Sequence, residues 1–155
     1  MSEKNFAYTV KRYYRYPLVE TLITVFPEFD HNLPRQEWPD GAEVRAVWDT
    51  GCSNTAISSR LAKLLNLRHL GYVTVQNSIK SAPRTVYGVS LWIKEIDFHT
   101  VVFRVHEFNE SEGIDVLIGM DIIKLGDFAI TRDDNNNTVM SWCHPHREHI
   151  DFEIK

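Results

Sequence analysis

The amino-acid sequence predicts a mostly β, barrel-like domain with one or two short helices. Short apolar segments rich in β-branched residues alternate with turns rich in Pro, Gly and Asn, and only two segments have helical spacing. In addition, one apolar segment runs directly into a lone carboxylate, Asp49. The chain has 155 residues, of which 43% are hydrophobic and 25% charged, so it can form one domain with its own core.

The first half of the chain divides into two strands, a loop and a helix. Residues 18 to 26 are apolar and β-branched, which predicts a strand that the following proline ends. Residues 27 to 41 hold three prolines among charged residues and predict a long loop. Residues 42 to 48 resume a strand and lead to Asp49. Residues 58 to 67 predict a short helix with a serine at its N-cap and leucines on one face.

The second half is also dominated by strands. Residues 72 to 105 have a strand-like pattern that is interrupted at residues 81 to 83 and at Gly88, which predicts one or more hairpins. A short helix is expected at residues 121 to 125, before a glycine. Residues 127 to 142 predict a final hairpin around an Asp- and Asn-rich turn.

Composition excludes several classes of protein. The net charge of −4 argues against an extended nucleic-acid surface. Residues 1 to 17 combine basic residues with tyrosines, which could contact the phosphates and bases of a nucleic acid. The net negative charge of the whole chain instead favours an arm that packs on the domain. No apolar run is long enough for a transmembrane helix, and no signal-peptide pattern occurs. With only two cysteines, a disulfide framework is not expected, so the sequence predicts a cytoplasmic protein without nucleic-acid or membrane partners.

The stretch that carries the chemistry is Asp49-Thr50-Gly51 at the end of an apolar strand. A carboxylate at such a turn can accept hydrogen bonds from nearby backbone N–H groups, and Gly51 lets the chain approach it without a Cβ. A carboxylate in this position is unfavourable unless it is hydrogen-bonded or shares a proton with a neighbour.

Asp49-Thr50-Gly51 resembles the active-site signature of the aspartic proteases. Residues 116–123, Val-Leu-Ile-Gly-Met-Asp-Ile-Ile, resemble the apolar-apolar-Gly element that crosses behind that loop. Their glycines, Gly51 and Gly119, lie 68 positions apart, a separation similar to that in the single-domain, retroviral-type members, the retropepsins. The resemblance implies a closed acid-protease-like β-barrel, with one lobe per chain, over residues 18–142. Residues 1–17 would form an N-terminal arm and residues 143–155 a polar tail.

The resemblance implies an aspartic endopeptidase that acts on polypeptides as a homodimer. The chain holds a single Asp-Thr-Gly, so the second carboxylate of the dyad would come from a second copy. One Asp49 would activate a water and the protonated Asp49 would donate to the scissile carbonyl, with no metal or organic cofactor. Thr50 would join the Asp49 loops of the two subunits across the dimer axis, and Gly51 would supply a backbone contact to the Asp49 carboxylate.

A substrate-closing flap is implied near residues 74–83. Its tip would comprise Val75, Gln76, Asn77, Ser78 and Ile79, a segment that lacks the glycines usual at a mobile tip. Hinging is possible without glycine. The same fold could instead serve as a non-proteolytic dimeric binding or scaffold module, since fold does not fix function.

Other readings of the same residues are weaker. Asp-x-Gly also begins the phosphate loops of actin-like ATPases and sugar kinases, but those proteins need two large lobes. Cys52 could be a thiolate nucleophile, although no His stands at a spacing that identifies it as the partner. Cys143, His144, His146 and His149 could bind zinc, but Pro145 and the short spacing favour a solvated tail.

The remaining two carboxylates near the second motif are Asp115 and Asp121. Both are interpreted as turn or helix-start residues rather than catalysts.

Overall fold

The structure is a computed structural model that describes residues 6–12, 18–76, 81–100, 103–109, 113–151 and 153. Three of the expected flap residues, Asn77, Ser78 and Ile79, lie outside these described residues. Within the described part of the chain, no helix is long and apolar enough to cross a membrane.

Strands dominate the described residues, as the sequence predicted. The strands are β1 (Phe6–Arg12), β2 (Glu20–Pro27), β3 (Ala42–Trp48), β4 (Ala56–Ser58), β5 (His69–Gln76), β6 (Ser81–Ile93), β7 (Phe98–His99), β8 (Phe103–Phe108), β9 (Val116–Ile118), β10 (Asp127–Arg132) and β11 (Thr138–His144). The α-helices are α1 (Ser59–Leu64) and α2 (Met120–Ile123), and 3-10 turns occupy Arg35–Glu37 and Lys94–Ile96.

Most of the strands belong to one sheet, whose hydrogen-bonded order is β2-β3-β9-β4-β8-β6-β5. Strand β7 pairs with β6, and β2 pairs with β6 as well as with β3. Strand β9 is parallel to β3 and antiparallel to β4. It therefore lies between the strand that precedes Asp49 and the strand that leads into α1.

A second sheet has three strands in the order β1-β11-β10. β11 is its central strand and is antiparallel to both neighbours, with Cys143 opposite Ala7 on one side and Asp127 on the other. The backbone of residues 6–12, within the expected N-terminal arm, is thus hydrogen-bonded to β11.

Large aromatic side chains join the two sheets in one core. Trp48 on β3 is buried, and its ring centroid lies 5.5 Å from that of Trp142 and 6.0 Å from that of Phe128. Trp142 is 1% exposed and its Nε1–H donates to the carbonyl of Ile123 at 3.1 Å. The final hairpin thus packs over Trp48, and this packing accommodates the bulky side chain before Asp49.

The expected helix starts and hairpin are confirmed. The Ser58 hydroxyl caps α1 by accepting from the amide of Leu61 at 3.1 Å, although the helix ends at Leu64 rather than at residue 67. The second helix occupies Met120–Ile123, and β10 and β11 form the final hairpin.

The expected interruptions at residues 81–83 and at Gly88 are wrong, because β6 continues from Ser81 to Ile93. Pro83 pairs with Thr74 of β5 on one side. On the other side, β8 begins to pair with β6 only at Val86, so the missing N–H of Pro83 removes no hydrogen bond to β8. At Gly88 a Cβ would lie 2.2 Å from Oε2 of Glu28, so the glycine makes room for that side chain.

Candidate active site

Asp49 lies directly after β3, where the chain leaves the sheet. Its amide donates to the carbonyl of Ile118 at 2.9 Å, which ties the first residue of the turn to β9. The amide of Cys52 donates to the Asp49 carbonyl at 3.1 Å and closes the turn. The carboxylate is half-buried in the single chain, so it is held by the turn and is still reachable from outside.

The amide of Gly51 holds the carboxylate, as the sequence predicted. It donates to Oδ1 of Asp49 at 2.8 Å. A Cβ at position 51 would lie only 3.1 Å from that oxygen, so a larger residue would press on the carboxylate. Thr50 and Gly51 are both exposed in the single chain.

The second motif crosses behind this turn at very short range. The amides of Met120 and Asp121 donate to the carbonyls of Cys52 and Ser53 at 2.8 and 3.2 Å. A Cβ at Gly119 would lie 2.6 Å from the carbonyl carbon of Asn54. Glycine is therefore required at this position because two backbones meet there, and the expected crossing is confirmed.

Thr55 and Asp121 link the loop after Asp49 to α2. The Thr55 hydroxyl donates to Oδ1 of Asp121 at 2.7 Å and accepts from the amide of Gly119 at 3.0 Å. The Thr55 amide donates to Oδ2 of Asp121 at 2.7 Å, and Thr55 is fully buried. Asp121 is thus a structural carboxylate, as expected, whereas the role of Thr55 was missed. Its place in a short polar loop between two apolar segments was the only signal.

Asp115 supports the start of α1. Its side chain is 5% exposed, accepts from the Ser58 hydroxyl at 2.8 Å and pairs with the guanidinium of Arg60. The Asp115 carbonyl also accepts from the Ser58 amide at 2.8 Å. These bonds satisfy a buried carboxylate and fit the expected structural role.

Cys52 is not suited to nucleophilic chemistry. Burial raises the pKa of its thiol from 9.0 to about 11, and the negative charge of Asp49 adds to the effect. The thiol therefore stays protonated at neutral pH, which removes the thiolate that attack requires. The alternative of a cysteine nucleophile is not supported.

A cleft, here called the Asp49 cleft, opens beside the turn that holds Asp49; Gly51, whose amide binds the Asp49 carboxylate, is part of its lining. The cleft has a volume of about 730 Å³ and is lined by residues 51–54, 73–75, 86 and 104–106. Strand β5 supplies one wall, including Val75 of the expected flap, and β8 supplies another. Gln76 ends β5. The volume lies within the range of ligand-binding sites, roughly 300–1,000 Å³.

Three of the four residues considered as zinc ligands have other contacts. The side chains of Cys143 and His146 both contact the Asp127 carboxylate, at 3.4 Å for the Cys143 sulfur. His144 Nδ1 lies 2.7 Å from the carbonyl of Leu125. Across the described segments, no group of three or more His, Cys, Asp or Glu side chains is placed to hold a metal ion.

Comparisons with known proteins agree with this geometry. Residues 38–122, more than half of the chain, match the model of the aspartyl protease family. A retropepsin-like aspartic protease from Rickettsia conorii is structurally similar, with a TM-score of 0.54 at 15% identity, over 90% of this chain and 92% of that chain. EIAV protease, solved in complex with the inhibitor HBY-793, has a TM-score of 0.52 at 12% identity, over 72% of this chain and 90% of that chain.

A search of curated protein sequences finds no match. At such low identity the two solved structures establish the fold alone, and that fold is retropepsin-like. The matched segment contains both Asp49-Thr50-Gly51 and Gly119. On these grounds the chain belongs to the aspartyl protease family.

Proposed function

We propose that this protein is an aspartic endopeptidase that hydrolyses peptide bonds through a water activated by two Asp49 carboxylates, one from each subunit of a homodimer. The observation that carries the proposal is the Asp49 carboxylate, held by the Gly51 amide at 2.8 Å beside a cleft of about 730 Å³. Family membership supports the same reaction class.

The homodimer is proposed because one chain holds only half of the required site. Two carboxylates that share a proton are needed, one as general base and one as hydrogen-bond donor, and the chain has a single Asp-Thr-Gly. An isologous dimer places Asp49 opposite its own copy. Thr50 and Gly51 are exposed in the single chain, which suits residues that meet a partner at a two-fold axis.

Each residue of the turn has a distinct part in the proposed reaction. The ionised Asp49 takes a proton from the water as it attacks the scissile carbonyl, and the protonated Asp49 of the second subunit donates to the developing oxyanion. The Gly51 amide fixes the orientation of each carboxylate. Thr50 joins the two turns across the axis. No step of this reaction requires a metal or an organic cofactor.

The proposed substrate is a polypeptide lying in the Asp49 cleft under the β5–β6 hairpin. Val75, the first residue of the proposed flap tip, lines the cleft, and Gln76, the second, ends β5. The pairing of β2 with β6 supports the closed barrel that the family resemblance implies. Residues 18–142 are proposed as the protease domain, with residues 1–17 as an arm and 143–155 as a polar tail. Both cysteines are free, which fits the proposed cytoplasmic location.

The test compares the wild type with Asp49→Asn on an unstructured peptide library at about pH 4 to 7. The matched control is Asp134→Asn, which makes the same atomic change in an exposed turn. Sedimentation analysis establishes the oligomeric state of all three proteins. We expect cleavage by the wild type and the control, and none by an Asp49→Asn protein that still dimerises.

Absence of cleavage by every dimer would overturn the peptidase proposal and favour the dimeric binding module. Equal cleavage by Asp49→Asn would show that a different group carries the reaction.

A further inference from the structure

The wall of the Asp49 cleft formed by β8 is positively charged. Arg104 and His106 both line the cleft, and their strand positions differ by two, so their side chains lie on the same face. Val105, between them, faces the core and is 1% exposed. Arg104 is exposed, so its guanidinium can meet a molecule in the cleft.

Arg104 differs from the arginines that support the fold. Arg45 pairs with Glu20, and Arg60 pairs with the buried Asp115. No ion pair or hydrogen bond joins the Arg104 guanidinium to another side chain of the described residues.

Glu28 is one carboxylate on this face of the sheet. It packs over Gly88, which is directly opposite Arg104 across the β6–β8 pair. No ion pair within 4.0 Å joins Glu28 to Arg104, although both residues are described. The positive charge of Arg104 is therefore not neutralised by a direct contact.

The residues that line the opposite wall carry no negative charge, and the Asp49 carboxylate lies next to that wall, bound to the Gly51 amide. The turn after Asp49 contributes Cys52, Ser53 and Asn54, which carry no charge because the Cys52 thiol is protonated. Among the described residues that line the cleft, none is Asp or Glu. A peptide carboxylate placed there would meet a cation and neutral hydrogen-bonding groups, which favours it over a neutral or basic side chain.

We propose that Arg104, with His106 beside it, selects peptide substrates that carry an acidic side chain, Asp or Glu, in the Asp49 cleft. This inference rests on the proposed peptidase function and names its substrate class. In a two-fold dimer each subunit contributes one Arg104. The acidic preference therefore falls at two substrate positions, placed symmetrically on the two sides of the scissile bond.

The experiment uses a peptide that the wild-type dimer cleaves. Glu, Gln or Lys is placed at one position at a time on both sides of the cleavage point, and kcat/KM is measured for each peptide. The variants are Arg104→Glu and Arg104→Gln. Arg68→Glu is the matched control, because Arg68 is exposed, does not line the Asp49 cleft and gives the same charge change.

At the selective positions we expect the wild type to prefer Glu over Gln by about fivefold in kcat/KM, mainly through KM, because the ion pair is solvent-exposed. Arg104→Gln should abolish the preference, and Arg104→Glu should prefer Lys instead. Arg68→Glu should behave as the wild type. The wild-type preference should shrink at high salt, because the pair is partly exposed to solvent.

A wild type that cleaves peptides with no preference for Glu at any position would overturn the inference and leave the peptidase function intact. A Glu preference unchanged in both Arg104 variants would also overturn it.

A binding measurement separates this inference from the peptidase function. Fluorescence anisotropy follows a labelled Glu peptide and its Gln counterpart on the Asp49→Asn dimer, where no cleavage intervenes. Selective binding that Arg104→Glu abolishes supports the acidic preference even if the wild type cleaves nothing. Equal binding of both peptides contradicts it.

Discussion

Replacing Thr55 by Val should reduce the free energy of unfolding by about 2.5 kcal/mol, although the two side chains have nearly the same shape. The Thr55 hydroxyl donates to Asp121 at 2.7 Å and accepts from the Gly119 amide at 3.0 Å. Val provides neither contact, and the fully buried position gives water no access to the groups left behind.

The magnitude follows from the two lost contacts. A hydrogen bond to a charged group contributes about 1.5–3 kcal/mol, and leaving the buried Gly119 N–H unpaired costs about 1–3 kcal/mol. The lower ends apply, because the Thr55 amide still donates to Asp121 at 2.7 Å and Asp121 also accepts from the Ile122 amide at 3.0 Å. The resulting loss of about 2.5 kcal/mol is a large fraction of the stability of a typical domain.

The assay is urea unfolding in the Asp49→Asn background, which prevents self-cleavage, at one fixed protein concentration. Thr55→Ser is the matched control, because it keeps the hydroxyl and loses one methyl group, at a cost of about 1 kcal/mol. A Val variant as stable as the Ser variant, with an unchanged slope against urea, would refute the argument that these two hydrogen bonds stabilise the crossing of the two loops.

Three further predictions test other parts of the structure. Gly119→Ala should lower stability by about 2 kcal/mol and abolish cleavage, because a Cβ there meets backbone 2.6 Å away. Ser53→Ala, in the loop that the Gly119 segment crosses, should keep the stability of the wild type. Because burial raises the pKa of Cys52 to about 11, the rate of its alkylation by iodoacetamide, measured by mass spectrometry, should continue to rise above about pH 10. Cys52→Ser should retain cleavage, and loss of cleavage with an intact fold would contradict the conclusion that Cys52 is not the nucleophile. The amides of Glu148 and Arg147 hold the pKa of Asp127 below its ordinary value of 3.8, so the stabilisation from Asp127 is present above that pH and lost as pH falls below it. Asp127→Asn should therefore reduce the hydrogen-exchange protection of those two amides at neutral pH, and a difference that does not shrink in strong acid would contradict the assignment.

Local signals made the turn at Asp49 predictable. The sequence places Asp49 at the end of an apolar strand, followed at once by a glycine, and the Gly51 amide does bond to the carboxylate. The serine cap of α1 was likewise predictable, because Ser58 satisfies an amide only three residues away. Each feature depends on a few neighbouring residues, which is the information that a sequence pattern carries.

Features that depend on distant residues were not predictable. The continuity of β6 through Pro83 and Gly88 depends on which strands pair on each side and on the position of Glu28. Thr55 is buried against Asp121, 66 positions away, and no residue near Thr55 in the sequence indicates that contact. The approach of Arg104 to the Asp49 cleft likewise requires the β6–β8 register.

In the proposed enzyme, two Asp49 carboxylates from two subunits form one active site. The most direct measurement mixes wild-type and Asp49→Asn proteins, lets the subunits exchange and measures peptide cleavage at constant total concentration. If each active site needs both carboxylates, cleavage follows the square of the wild-type fraction, so an equal mixture has about a quarter of the wild-type activity. An equal mixture with about half of that activity would mean that each subunit acts alone, and would contradict the account.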